Sequence, residues 1–129
     1  MNYKYDIYVS YFRTDKKVAD EICKFLSSNN ISYWIDKNDH EPGESLSDEV
    51  VQAIKDSAIL LFLASERSYY SPYCGKELSF FIKSDVLKNI VYLNIDGSTP
   101  PEAFYMLFGR YRKMLSYPDE LNLLVQELK

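Results

Sequence analysis

Short apolar runs alternate with helix-spaced apolar stripes along almost the whole chain. The run Asp6-Ile-Tyr-Val-Ser-Tyr11 predicts a first strand. Thr14 is placed to cap a first helix, whose Val18, Ile22, Phe25 and Leu26 fall at i, i+4, i+7 and i+8. Ile31–Ile35, rich in β-branched and aromatic residues, predicts a second strand. A polar loop from Asp36 to Glu44 follows, with a turn signal at Pro42-Gly43. Ser45 and Asp48 form a capping-box pattern for a second helix with the stripe Leu46, Val50, Ala53 and Ile54. Ala58–Ala64 is a continuous apolar run, as expected of a central strand buried on both faces. Ser71-Pro72 supplies an N-cap and a first-turn proline for a third helix, with Cys74, Leu78, Phe81 and Ile82 on one face. Ile90–Ile95 is a fourth strand. Thr99–Glu102 is a second capping box, opening a short helix that Gly109 closes. Arg112–Ser116 reads as a fifth strand, and Pro118 starts a last helix with Leu121, Leu124, Val125 and Leu128 inside.

Five such βα units predict an α/β, flavodoxin-like three-layer fold, a parallel sheet with helices on both faces. With the common strand order 2-1-3-4-5, ligands bind beyond the carboxyl ends of the strands, where the order switches. That focuses attention on Ser10–Asp15 and Ser65–Glu77, with the loop after the second strand beside them.

Composition narrows the rest. The 129 residues suit a single domain, 1–129, long enough to fold without disulfides or metal. The longest uncharged stretch, Phe25–Ile35, is too short to span a bilayer. The start Met-Asn-Tyr-Lys-Tyr-Asp has no apolar core of a signal peptide, so the expected location is cytoplasmic, with Cys23 and Cys74 reduced. A net charge of −4, with Lys and Arg scattered singly, argues against nucleic acid or a membrane as partner. His40, the only histidine, reads as a solvated loop residue.

Several functions of doubly wound folds drop out at the predicted crevice. A phosphate-accepting receiver needs an Asp after the third strand and an acidic pair after the first; Ala64-Ser65 and Ser10-Tyr11 stand there instead. Phosphate loops need clustered glycines, whereas Gly43, Gly75, Gly97 and Gly109 are far apart. What the crevice does hold is Glu77, in the second turn of the third helix. A helical wheel puts it about 60–80° from the centre of the apolar stripe, at the exposed edge of the buried face. Tyr73, one turn earlier, shares its side. By spacing alone, Glu77 reads as an acid complementing the helix dipole.

Three motifs resemble those of TIR (Toll/interleukin-1 receptor) domains, in the family's order. They are Asp6-Ile-Tyr-Val-Ser-Tyr11, then Trp34-Ile-Asp36 with Glu41-Pro-Gly-Glu44, then Ser71-Pro-Tyr-Cys-Gly-Lys-Glu-Leu78. The last is similar to the family's Ser-x-Trp-Cys-x-x-Glu-Leu, with Tyr73 in place of the usual Trp. The resemblance implies cleavage of NAD+ at its nicotinamide–ribose bond, as in many bacterial and plant members, with Glu77 as the catalytic residue. It further implies that Tyr11, Phe12, Arg13, Trp34, Asp36 and Tyr73 bind the substrate. The loop Glu41, Pro42, Gly43 and Glu44 would mediate self-assembly with other TIR domains. No cofactor is implied, NAD+ being the substrate, and a fused or neighbouring sensor domain is the expected trigger of an immune effector. The alternative is a non-catalytic TIR scaffold.

Overall fold

The computed structural model describes residues 3–38, 40, 43–84, 89–104, 112–126 and 128. Strands β1 (Tyr5–Ser10), β2 (Tyr33–Ile35), β3 (Ser57–Ala64), β4 (Asn89–Asn94) and β5 (Arg112–Ser116) form one sheet in the order β2-β1-β3-β4-β5. All four pairings are parallel. Helices α1 (Lys16–Ser28), α2 (Asp48–Lys55), α3 (Glu66–Tyr69) and α4 (Pro72–Ser84) lie in the connections, and α5 (Leu123–Gln126) follows β5.

The two-residue period of the strands sorts the core into two layers. Ile7, Val9, Ile59, Leu61, Leu63, Val91, Leu93 and Leu115 face Ala19, Ile22 and Leu26 of α1 and Leu124 of α5. Their neighbours Tyr8, Leu60, Phe62, Ile90 and Tyr92 face Val50, Ala53 and Ile54 of α2 and Cys74, Leu78 and Phe81 of α4. β3 is apolar from Ala58 to Ala64 because it contributes to both layers. Among the described residues no helix is long and apolar enough to cross a membrane.

The helix starts differ in places from the sequence expectation. Thr14 does not cap α1; a 3-10 turn at Arg13–Asp15 intervenes, and the α-helix begins at Lys16. That turn lets Asp15 accept the Ser65 hydroxyl at 2.7 Å, tying the end of β1 to the end of β3. α2 is capped by Ser47, whose oxygen accepts from the Val50 N–H at 3.2 Å, rather than by Ser45. The short α3 had no sequence stripe to announce it; Ser65 and Ser68 close it reciprocally. α4 starts where Ser71-Pro72 predicts, with Ser71 Oγ accepting from the Cys74 N–H at 3.2 Å. Gly109 lies outside the described residues.

Candidate active site

The polar heart of the site follows from the pleat of β1. Tyr8 and Ser10, two residues apart, point to the same face, and α4 crosses over it. The Tyr8 hydroxyl donates to Glu77 Oε2. The Ser10 hydroxyl donates to Oε1 at 3.0 Å. Glu77 is consequently buried, with 3% of its surface exposed. This corrects the helical-wheel expectation of an exposed edge. The wheel weighs only the helix's own apolar residues, and the strand end beneath offers two hydroxyls that satisfy a buried acid.

Burial raises the Glu77 carboxyl from 4.5 to about 8. The hydrogen bonds from Tyr8 and Ser10 and the nearby His40 pull it down, while the charge of Asp36 pushes it up again. Tyr8 in turn is driven well above its ordinary range by burial and by the Glu77 charge.

Glu77 opens onto a cavity of about 50 Å³ at the carboxyl ends of β1 and β2. Tyr11, Phe12, Arg13, Asp36 and Tyr73, all expected from the sequence, line it with Glu77. The Tyr11 hydroxyl donates to the Asp36 carbonyl oxygen at 2.9 Å, joining the loops that follow the two strands. Trp34 is not brought to this cavity. Paired with Tyr8 across the strands, it points to the same face and stacks on that ring, centroids 5.3 Å apart. Its place is beneath the site, supporting the residue that donates to Glu77. Cys74 also touches the cavity, but burial and the Glu77 charge push its thiol up to about 12, so it is no nucleophile at neutral pH.

Sequence reasoning missed His40. It is no solvated loop residue: its ring lies flat on Tyr73, centroids 3.9 Å apart with planes 8° from parallel. Nε2 is 2.6 Å from Asp36 Oδ2, and Nδ1 is 2.6 Å from Glu44 Oε2. Both nitrogens thus face carboxylate oxygens, which only accept, so both carry protons and the ring is an imidazolium. Burial lowers the His40 pKa, but the hydrogen bonds and charges of the two acids outweigh it and hold it above the ordinary 6.5. The signal was present as Asp36, His40 and Glu44 at four-residue intervals.

Asp36 Oδ2 also accepts from the Tyr73 hydroxyl at 3.4 Å, so acid, imidazolium and phenol form one cluster. Burial, then the charges of Glu77 and Asp36, raise the Tyr73 pKa, keeping the phenol protonated. Of the proposed assembly loop, Glu41 and Pro42 lie outside the described residues. Gly43 turns with φ +88°, a conformation other residues rarely adopt. Glu44 is held at its carbonyl by Lys76 Nζ of α4, 2.8 Å away.

A family model described as "TIR domain" matches residues 7–122. No curated protein matches the chain in sequence. Among solved structures, the TIR domain of the Toll-related receptor TRR-2 from Hydra magnipapillata superimposes with a TM-score of 0.74 at 17% identity. The match covers 97% of this chain and 98% of that one. A metazoan TIR-STING receptor from C. gigas, solved with 2',3'-cGAMP, gives 0.72 at 20% identity. There 98% of this chain matches 40% of the receptor, so it spans about two-fifths of that protein. The TIR domains of the activated Roq1 resistosome, which directly recognises the effector XopQ, give 0.57 at 18% identity, covering 97% of this chain and 80% of theirs. At such identities the likeness carries the fold alone.

Proposed function

The chain belongs to the TIR domain family, and from that premise we propose that it is an NAD+ nucleosidase with Glu77 as its catalytic carboxylate. The observation that carries this reading is the Glu77 carboxyl, buried between Tyr8 and Ser10 in the wall of a cavity it shares with the Tyr73 ring. A buried acid of this kind lowers stability once ionised, and it is the group most improved by a cation placed beside it.

NAD+ brings such a cation. Its nicotinamide is a pyridinium, which leaves the ribose as a neutral base and needs no general acid, unlike an ordinary glycoside. The positive charge passes to the ribosyl carbon as the C–N bond breaks. One ionised carboxylate about 4 Å away, at an effective dielectric near 20, stabilises that charge by about 4 kcal/mol, on the order of a thousandfold in rate. Water then adds to the ribosyl carbon and loses a proton, giving ADP-ribose. Capture by the adenine of the same molecule gives a cyclic product instead. With its pKa raised to about 8 by burial, Glu77 is mostly protonated at pH 7. The arriving pyridinium favours its ionised form.

Tyr73 provides the aromatic wall against the ring, Phe12 and Tyr11 border the same cavity, and Arg13, exposed at its mouth, meets the diphosphate. Asp36 joins them through the Tyr11 bond. The loop containing Gly43 and Glu44 serves association with further copies of the domain, in keeping with an immune effector that works when assembled. The direct test is nicotinamide release from NAD+ at high protein concentration, wild type against Glu77→Ala. A folded wild type that releases none at any concentration leaves the scaffold reading.

A further inference from the structure

We infer that the His40 ring is an internal competitor for the substrate: it occupies the stacking place on Tyr73 that the flat, cationic nicotinamide ring takes when NAD+ binds. The inference rests on the reading of this cavity as an NAD+ site.

The likeness is one of chemistry. His40 presents a planar, positively charged, nitrogen-containing ring, parallel to Tyr73 at 3.9 Å and paired to the Asp36 carboxylate. A pyridinium has the same three properties. Both rings line the same cavity, and the imidazolium lies flat on the Tyr73 face that a substrate ring would stack on. That face is free for another ring only once one of the two groups moves.

The surroundings say which group that is. Tyr73 is fixed on the first turn of α4, and Glu77 is held by Tyr8 and Ser10. Asp36 is anchored through its carbonyl by Tyr11. His40 is held by its stack and by two acids, one of which, Glu44, has half of its side chain exposed. That half-exposed pair holds weakly, which leaves the more buried pair to Asp36 as the contact an incoming cation replaces. Exchange of imidazolium for pyridinium also keeps the charge balance: Asp36 regains a cation, and Glu77 keeps one nearby. A neutral ring offers no such exchange. The site therefore selects the oxidised nicotinamide, a flat cation, over the uncharged dihydro form.

The competition has a size. If the stacked state holds about nine-tenths of the molecules, apparent affinity for the ring is reduced about tenfold. Because His40 is the only histidine, its ring can be followed alone by NMR in histidine-labelled protein. The probe is 1-methylnicotinamide, a pyridinium without the dinucleotide, with neutral nicotinamide as control. The His40 Hε1 resonance, shifted upfield by the Tyr73 ring, should move to the position of a free imidazolium as the probe saturates. His40→Ala should bind the probe at least about tenfold more tightly than wild type, and neutral nicotinamide should bind more weakly than the probe to both. A resonance that stays shifted at saturation overturns the inference. So does a His40→Ala protein that binds no better than wild type, or a probe that binds neither. None of these readouts needs turnover. Absence of nicotinamide release from both proteins would retire the enzymatic reading while the measured ring exchange stood.

Discussion

Replacing Glu77 by Gln separates chemistry from folding because the two effects run in opposite directions. The carboxyl titrates near 4.5 when unfolded and at about 8 in the fold, chiefly through burial. A raised carboxyl binds its proton more tightly in the folded state. Its stabilising share is therefore fully present below about pH 4.5 and is lost as pH rises through 8. The 3.5-unit difference between those values, 8 minus 4.5, corresponds to about 5 kcal/mol at about 1.4 kcal/mol per unit. Gln keeps a carbonyl to accept from Tyr8 and an amide beside Ser10, but it does not titrate. At pH 5 the Glu77→Gln protein should match wild type within about 1 kcal/mol. Toward pH 8 it should become the more stable of the two, gaining about 1.4 kcal/mol per pH unit. Urea unfolding of both proteins at unit steps from pH 5 to 9 reads this directly, since all other titrations cancel in the difference. Nicotinamide release, assayed alongside, should fall about a thousandfold in the variant, even where it is the more stable protein. A stability difference that stays flat across that range would refute the buried, protonated carboxyl. More than about a tenth of activity retained would refute its catalytic role.

Ser47→Ala should lower stability by about 1 kcal/mol through loss of the α2 cap, with Ser45→Ala near neutral; equal effects in thermal melts would restore Ser45 as the cap. Tyr73→Ala should reduce kcat/KM for NAD+ by about tenfold, whereas Tyr73→Trp keeps a stacking wall and most of the activity. Equal kinetics for Ala and wild type would make Tyr73 purely structural. Both cysteines are buried, with Cys23 pushed up to about 11 and Cys74 up to about 12 mainly by burial. A thiol reagent at pH 7.5 should therefore find two groups in denaturant and react only slowly with native protein; two fast native thiols would contradict that burial. Gly43→Pro cannot adopt φ +88° and should suppress both self-association and a specific activity that otherwise rises with concentration. Light scattering and activity from nanomolar to high-micromolar protein check this, and a fully active monomeric variant would sink it.

Elements with a long period were legible in the chain, and those decided by contacts were not. β3 announced itself because burial on both faces leaves only apolar residues, Ala58 to Ala64. α4 did so because Ser71-Pro72 is a local start signal and Cys74, Leu78 and Phe81 repeat at helical spacing. The short α3 and the 3-10 turn before α1 depend instead on Ser65 meeting Ser68 and Asp15, the latter fifty positions away in sequence. Tyr11, Phe12, Arg13, Asp36, Tyr73 and Glu77 were brought to one cavity by the strand order, as the switch-point rule anticipates. The rule places loops, not side chains, so it could not say that Trp34 would turn under the site. Nor could it say that His40 would fold back onto Tyr73.

The burial of Glu77 makes the strongest case that this corner of the fold is kept for chemistry. Its helix neighbours Cys74, Leu78 and Phe81 belong to an apolar layer, and an apolar side chain at position 77 would extend that layer. In place of it, three polar side chains, Tyr8, Ser10 and Glu77, satisfy one another next to the cavity. A buried polar cluster is at best neutral for stability against well-packed apolar residues. It also becomes a liability when its acid ionises. Packing therefore gives no reason for the cluster, whereas a carboxyl held ready to ionise beside an incoming cation does. The same logic covers the mouth of the cavity, where an imidazolium stands between Asp36 and Glu44 over an aromatic ring. Carboxylates there are already organised around a flat cation, which on the proposed reading the pyridinium of NAD+ replaces.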